Sequence, residues 1–384
     1  MKKIFYVALA IVATMFVACK DQQTPEGDTT KLWPAQAGGE EWGYIDAKGN
    51  MVISAMYDEV EEFSCGAARV WFDGDLLFIN KKGARQTTPS YDDADAFYYN
   101  YAVVELDDKE GLMNNKFDMT IQPYFYTLGY MGDNGLLPAK RNEDSKYEYV
   151  NAKGETKIPA MFDYAEDFLD GVAVVRMGSK QGAINKAGEF TIQPTYEYGL
   201  LNLGKGLLGY MDKNGKTGIL DKNGNIVVSP IYENSYTVLN DGLMYVKSKD
   251  KWGYINTKGE MVIPQIYCEV RAFYEGQAWV KQSEEGAWMS IDKNNNVVFS
   301  LSKDENPSSY CTPVTGFHNG LALVATEDGY KYVNKSGSLV YTWTLENDDD
   351  YDWAPKKAKR EQMSFRERME EFHNMTLNFD SRKL

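Results

Sequence analysis

One pattern returns nine times along the chain, at a spacing that a helix bundle or a mixed α/β fold has no reason to keep. Short turns open on Asp46, Asn80, Asn115, Asn151, Asn185, Asp221, Asn256, Asp292 and Asn334. They follow one another at 34 to 36 residues, with 42 before the last. A fixed period of this length is the mark of a repeat architecture, in which one supersecondary unit is stacked on its neighbours.

The best-kept copy runs from Trp252 to Pro264. Tyr254 and Ile255 are strand formers. Asn256 to Gly259 has Asn first and Gly fourth, the composition of a type I turn followed by a residue in the left-handed region. Met261 to Ile263 is the return strand, and Pro264 withholds a backbone donor from the ladder. Each copy then adds Phe-x-x-Gly and an alternating strand, as in Phe168 to Val175, Phe273 to Val280 and Phe317 to Val324. Pro89, Pro123, Pro159, Pro194, Pro230 and Pro264 fall at the same phase of six copies. Period-2 alternation between glycine turns predicts an all-β chain with three or four strands per copy. The recurring Tyr, Trp and Phe are expected to be packing residues.

These residues resemble the WG-repeat family, also called KWG repeats. The signature is Trp-Gly-Tyr-Ile-Asn/Asp-x-x-Gly, with Ile-x-Pro and Phe-x-x-Gly-x-Ala-x-Val behind it, and it is cleanest around Trp42 and Trp252. The third copy, Gly111 to Asn115, and the eighth, Trp288 to Asp292, depart from it. The resemblance covers about residues 31 to 345. It implies a β-rich module of bacterial proteins, often at the envelope, with no shared enzymatic activity and no catalytic residues to carry over.

The expected architecture is about nine units of ~35 residues, with a propeller-like ring favoured over an open β-solenoid. Leu32 to Ala35 matches the third part of a copy, and the pattern ends after Tyr341 with the second part. The first strand could therefore complete the last copy. The long final interval implies an inserted surface loop around residues 302–313. After residue 345 a charged tail, 346–384, carries Ser364 ahead of Phe365, Met369, Phe372 and Met375, the spacing of a short helix.

At the other end, Lys2 and Lys3 precede an apolar run, Ile4 to Ala18, too short to span a bilayer comfortably. Cys19 follows directly. This arrangement resembles the lipobox of bacterial lipoproteins, which implies a signal peptide over residues 1–18 and lipidation at Cys19. Polar residues 19–30 read as a tether. The expected location is the bacterial cell envelope, with the lipid in the outer membrane and the body on its periplasmic or surface face.

The chain carries a net charge of −15, or −17 once Lys2 and Lys3 leave with the leader. So acidic a surface argues against nucleic acid, whose phosphates call for basic patches. Besides Cys19 there are Cys65, Cys268 and Cys311, read as mostly buried small residues, and only two histidines, His318 and His373. That leaves little material for a zinc site or a histidine-based triad. Asp292 to Asn296 begins like an EF-hand loop but lacks the glycine at its sixth position and the glutamate at its twelfth. No metal or cofactor is expected.

Carboxylates gather in residues 58–62, 92–95 and 163–167. A glycosidase needs two at a set separation. These acids recur at one phase of successive copies, as solvated loop residues do, whereas a catalytic pair occupies one special place. Trp71, Trp279, Trp343 and Trp353 lie off the Trp-Gly phase. Trp71 and Trp279 are the candidate ligand contacts, since an exposed indole beside polar residues can stack on a sugar or anchor a protein. The expected function is a non-catalytic, protein-binding or scaffold surface presented by an envelope lipoprotein. The alternative is a carbohydrate-binding surface, with carbohydrate processing behind it. Either an envelope protein or a glycan would be the partner.

Overall fold

The computed structural model describes residues 31–86, 91–197, 199–233, 239–301, 311–326 and 329–344. The leader, Cys19, the tether, the tail helix and Trp353 lie outside them, as does most of the insertion. Among the described residues every regular element is a β-strand. Eight antiparallel sheets follow one another along the chain, each built from strands adjacent in sequence. One has seven strands, but its two halves meet only through the pair Glu233 and Lys247. Counted as two, it brings the total to nine units, matching the nine sequence copies.

The Asx turn recurs with one geometry. In the seventh copy the Asn256 side-chain oxygen accepts the N–H of Lys258 at 2.9 Å and of Glu260 at 3.0 Å, and Gly259 has φ +80°. The third copy opens on Asn114 rather than Asn115. Asn114 Oδ1 accepts from Lys116 and Asp118, and Phe117 occupies the left-handed place at φ +67°. Two consecutive asparagines and no glycine leave the sequence without a register mark there.

Phe-x-x-Gly is a second turn. The two residues before the alternating strand both have positive φ, as in Asp170–Gly171, Asp241–Gly242 and Asn319–Gly320. They are flanked by mutual backbone bonds such as Leu169 with Val172. This is the type I′ turn, for which Asx-Gly is the favoured pair.

The glycine of Trp-Gly has a steric cause. The last strand of the unit bulges over it: Trp252 pairs with Tyr267 but Tyr254 with Ile263, so four residues on one strand oppose two on the other. A Cβ on Gly253 would lie 2.5 Å from the Ile263 carbonyl oxygen and 2.7 Å from the Gln265 nitrogen. Gly43, Gly111, Gly182 and Gly218 meet the same backbone. In the ninth unit Lys331 stands at this place, and there Lys331 pairs with Thr342 and Tyr332 with Tyr341 without this bulge. In the fourth unit Glu148 stands there within the bulge, Tyr147 pairing with Phe162 and Tyr149 with Ile158, so a side chain is accommodated in that unit. The proline next to the buried isoleucine sits in the bulge, where a ladder donor is not needed.

Neighbouring units interlock. Tyr44, Tyr149 and Tyr254 are buried. Their hydroxyls donate to the carbonyls of Glu61, Glu166 and Arg271 in the next unit at 2.6–2.7 Å. Their rings pack on Phe63, Phe168 and Phe273 at centroid distances of 4.8–4.9 Å. The eighth unit has Ser290 in place of the tyrosine. Trp279, paired opposite Ser290, fills the space: its ring stacks on Phe317 at 5.4 Å and its indole N–H donates to the Thr315 carbonyl at 3.1 Å. That carbonyl lies two residues before the phenylalanine, as Glu61 lies two before Phe63.

Nine apolar cores lie between successive units, and the ninth joins the last unit to the first through Trp33, Ala35, Trp42, Ile45, Leu321, Leu323, Tyr332 and Trp343. The contact is by faces and side chains. Strand Trp33–Gln36 pairs with Trp42–Ile45, as the third part of a copy pairs with the first strand of the copy that follows it, Leu136–Lys140 with Tyr147–Asn151 for example. In the second unit the carbonyls of Arg69 and Trp71 accept the N–H groups of Glu61 and Asp58. Pro34 and Gln36 hold the same register positions in the first unit. Their carbonyls accept the hydroxyls of Tyr332 at 3.0 Å and Tyr341 at 2.8 Å from the last unit. The Trp33 indole donates to the His318 carbonyl at 3.1 Å.

Candidate functional site

The two tryptophans singled out in the sequence have different fates. Trp279 is 0 % exposed and belongs to the core between the eighth and ninth units. Alternation suggested a side chain on the opposite face from Ala278 and Val280. That face is also buried, because the next sheet covers it. It is therefore corrected from ligand contact to core residue. Trp71 is half-buried, with the Arg69 guanidinium 5.3 Å from its ring centre. Burial alone would lower the Arg69 pKa, but Glu61, then Asp95 and Asp93, outweigh it and hold the guanidinium charged. Arg69 also donates to the Ala94 carbonyl and pairs with Glu61. Trp343 is buried at the contact between the last and first units. Cys65, Cys268 and Cys311 are half-buried rather than buried.

The periodic acids cap turns rather than stand free in solvent. Asp58, Asp92 and Asp163 accept the N–H of Gly74, Asp107 and Gly178 in the hairpin of their own sheet at 2.7–3.1 Å. A second series links units. Asp241 accepts from Gly276 N at 2.5 Å, and Glu275 from Asn319 N and Gly320 N at 2.6 and 2.9 Å. Asp292 spends both carboxylate oxygens on its own turn, with Asn294 and Asn296 as donors. Each acid serves backbone donors that positive-φ turns leave unpaired.

The repeat is broken in two adjacent units. In the third, Tyr99 and Asn100 occupy the type I′ positions at φ +46° and +66°. In the fourth, the turn is one residue longer, closed by Gly132 N to Leu136 O and Gly135 N to Gly132 O. Tyr98, Tyr99 and Tyr130 meet there, with Tyr98 centred 5.1 Å from Tyr99 and 5.5 Å from Tyr130. Burial and then the nearby carboxylates of Asp133 and Asp170 push the Tyr99 phenol pKa up. The Asn134 amide nitrogen is buried without a hydrogen-bond partner. The sequence carried a signal for this place, the loss of Asx-Gly at Tyr99-Asn100, but a departure from a repeat has the same appearance as drift.

A second feature is distributed. Met56, Tyr124, Met161, Ile231 and Ile266 each precede the buried aromatic that closes a unit's last strand, and each is 41–60 % exposed. Side chains on a strand alternate faces, so burying the aromatic turns its neighbour outward.

Five stretches, residues 42–74, 78–109, 149–180, 218–252 and 252–284, match the WG containing repeat family. The chain is a WG-repeat protein. Each matched WG repeat runs from the Trp-Gly strand of one sheet into the hairpin of the next, so repeat and sheet are offset and every repeat ties two sheets together. No curated protein matches this WG-repeat chain. Solved structures similar to it include a eukaryotic initiation factor, at 10 % identity over 72 % of this chain and 89 % of that one, with a TM-score of 0.46. Apo AztD from Citrobacter koseri is 11 % identical over 83 % and 95 %, at 0.39. Virginiamycin B lyase from Staphylococcus aureus is 16 % identical over 59 % and 88 %, at 0.32.

Proposed function

We propose that this WG-repeat protein is a non-catalytic envelope lipoprotein, anchored through lipid on Cys19, whose repeat body is a scaffold that binds another envelope protein along the outer strands of its sheets. The observation that carries this reading is the series Met56, Tyr124, Met161, Ile231 and Ile266. Apolar side chains exposed at one phase of five of the nine units offer a surface that a protein partner can cover, although Thr195 holds that phase in the fifth. The bulge in those strands, and the proline in all of them but Met51–Tyr57, disfavour edge-to-edge strand pairing, so the contact would be made by side chains.

Photo-reactive residues placed at Tyr124, Ile231 and Ile266 in cells should give a discrete adduct with one envelope protein, while the same residue at the exposed turn position Lys213 should give none. Cys19→Ser should move the protein from the membrane to the soluble fraction. Adducts of equal pattern at all four positions, or no adduct at any, would remove the scaffold reading. Membrane retention of the serine variant would remove the anchor.

We further infer that the nine units close into a ring. The support is the cycle of nine cores, in which the last unit packs on the first. The Tyr332 and Tyr341 hydroxyls there take up carbonyls that backbone N–H groups serve in the second unit.

A further inference from the structure

We propose that the segment of this chain from Ser364 to Met375 lies across an apolar arc on the outer strands of the seventh to ninth units and covers Val262, Val297, Val298 and Leu339. None of the five residues that carry the scaffold reading takes part.

The arc emerges when the outer strands are laid on one register. Six residues after the Asx that opens each turn, the first unit and the sixth to ninth carry valine: Val52, Val227, Val262, Val298 and Val340. The second to fifth units carry Gln86, Thr120, Lys157 and Thr191 there. The last unit packs on the first, so the five valine units are neighbours. In the sixth to ninth units the residue ahead of the valine is apolar too, and Ile226, Met261, Val297 and Leu339 are 44–64 % exposed. Strand formation does not require this, because the third to fifth units build the same outer strand with a polar residue in place of the valine. These are edge strands, and an apolar edge left open invites pairing with other chains, which folded proteins prevent by covering it. An exposed apolar surface confined to one half of the body calls for an occupant.

Place, reach and chemistry name the occupant. The chain leaves the repeat body at Thr344, at the end of the ninth unit's outer strand and within the arc. Nineteen residues separate Thr344 from Ser364. Extended, they reach about 60 Å, well beyond the ~20 Å length of an outer strand. Phe365, Met369, Phe372 and Met375 recur at the spacing that puts side chains on one face of a helix. A helix from Ser364 to Met375 would be about 18 Å long, close to two sheet spacings of ~10 Å, so it can cross three units.

Charge gives the path between. Lys356, Lys357, Lys359 and Arg360 come after Thr344 and before the apolar stripe. Thr344 pairs with Gly329, at the hairpin end of its sheet. At the same end of the eighth unit the hairpin carries Glu284 and Glu285, both exposed and without an ion pair among the described residues. A cationic run leaving Thr344 meets these carboxylates first and is drawn toward the eighth unit. The occupant is therefore this chain's own tail, which lies outside the described residues.

Two measurements on the full-length protein test the cover from both sides. With benzoylphenylalanine in place of Phe372, irradiation in membranes should give a crosslink within one chain, to a peptide containing Met261, Val298 or Leu339. Hydroxyl-radical footprinting reads the arc itself. In the double variant Phe365→Asp, Phe372→Asp, oxidation at Met261 and Leu339 should rise at least about threefold as the apolar surface is uncovered, while Tyr124, in the third unit, stays unchanged. A crosslink only to another chain or to the second to fifth units, no crosslink, or unchanged oxidation at Met261 and Leu339 overturns the proposal. The scaffold reading would survive that failure, since its adducts are sought at Tyr124, Ile231 and Ile266.

Discussion

Valine at Gly253 should lower the free energy of unfolding by about 3 kcal/mol or more, among the largest effects of any single substitution in the chain. The added Cβ meets the carbonyl oxygen of Ile263 and the nitrogen of Gln265, which are backbone atoms of a bulged strand and cannot swing away as a side-chain tip would. To admit the new side chain the bulge must open, and with it the pairing of Trp252 with Tyr267. The denaturation midpoint, followed by tyrosine and tryptophan fluorescence, should move to lower denaturant. Hydrogen exchange should quicken first in the seventh unit. Lys331, at the equivalent place in the unbulged ninth unit, is the control: Lys331→Ala should cost less than about 0.5 kcal/mol, as surface changes do. Equal tolerance at both places would mean that the close approach of the Ile263 and Gln265 backbone is not what demands glycine at 253; the bulge alone does not, since Glu148 sits in the same bulge of the fourth unit.

Removing the Trp279 indole should be as damaging, by about 3–5 kcal/mol, the range for a large aromatic deleted from a core. Trp279 is fully buried, stacks on Phe317 and satisfies the Thr315 carbonyl. A specific rescue follows from its role as the stand-in for a missing tyrosine. In the Trp279→Ala background, Ser290→Tyr should recover part of the loss, because a tyrosine there reproduces the interlock that Tyr44, Tyr149 and Tyr254 make. The same Ser290→Tyr change alone should destabilise, since the indole already fills the space. Additive losses in the double variant would deny the exchange of roles. Melting curves of the four proteins decide it.

Much of the fold was legible because a repeat states each rule several times over. The Asx turn, the strand on either side of it and the Phe-x-x-Gly turn reappear in the structure where the pattern put them, except that the third copy's Asx turn opens one residue earlier, at Asn114, and the second turn is altered in the third and fourth units. What the sequence could not state was pairing at a distance. Trp279 and Ser290 are eleven residues apart, and nothing local says that an indole replaces a phenol. Leu32 to Ala35 matched the third part of a copy, and that match left open which sheet the strand would join; register with Trp42 to Ile45 decided it. The periodicity of the acids is in the sequence but their use is not, because a carboxylate that caps a backbone N–H, as Asp58, Asp92 and Asp163 do, and one that only meets water have the same spacing. The tyrosine cluster escaped notice for a related reason. Tyr98 and Tyr130 are brought together by sheet stacking, and strain at Tyr99 is a property of φ, which composition does not carry.

Whether the nine units form a ring is tested most directly by the distance between the ends of the repeat body. Spin labels at positions 41 and 344, introduced as unnatural amino acids that leave the cysteines untouched, report it by double electron–electron resonance. Packing of the last unit on the first, through Trp33, Trp42, Tyr332 and Trp343, predicts a narrow distribution on the order of one to two sheet spacings of about 10 Å each. An open array would place the labels some eight spacings apart, about 80 Å. A distribution at that distance, or no short-range modulation at all, would contradict the ring.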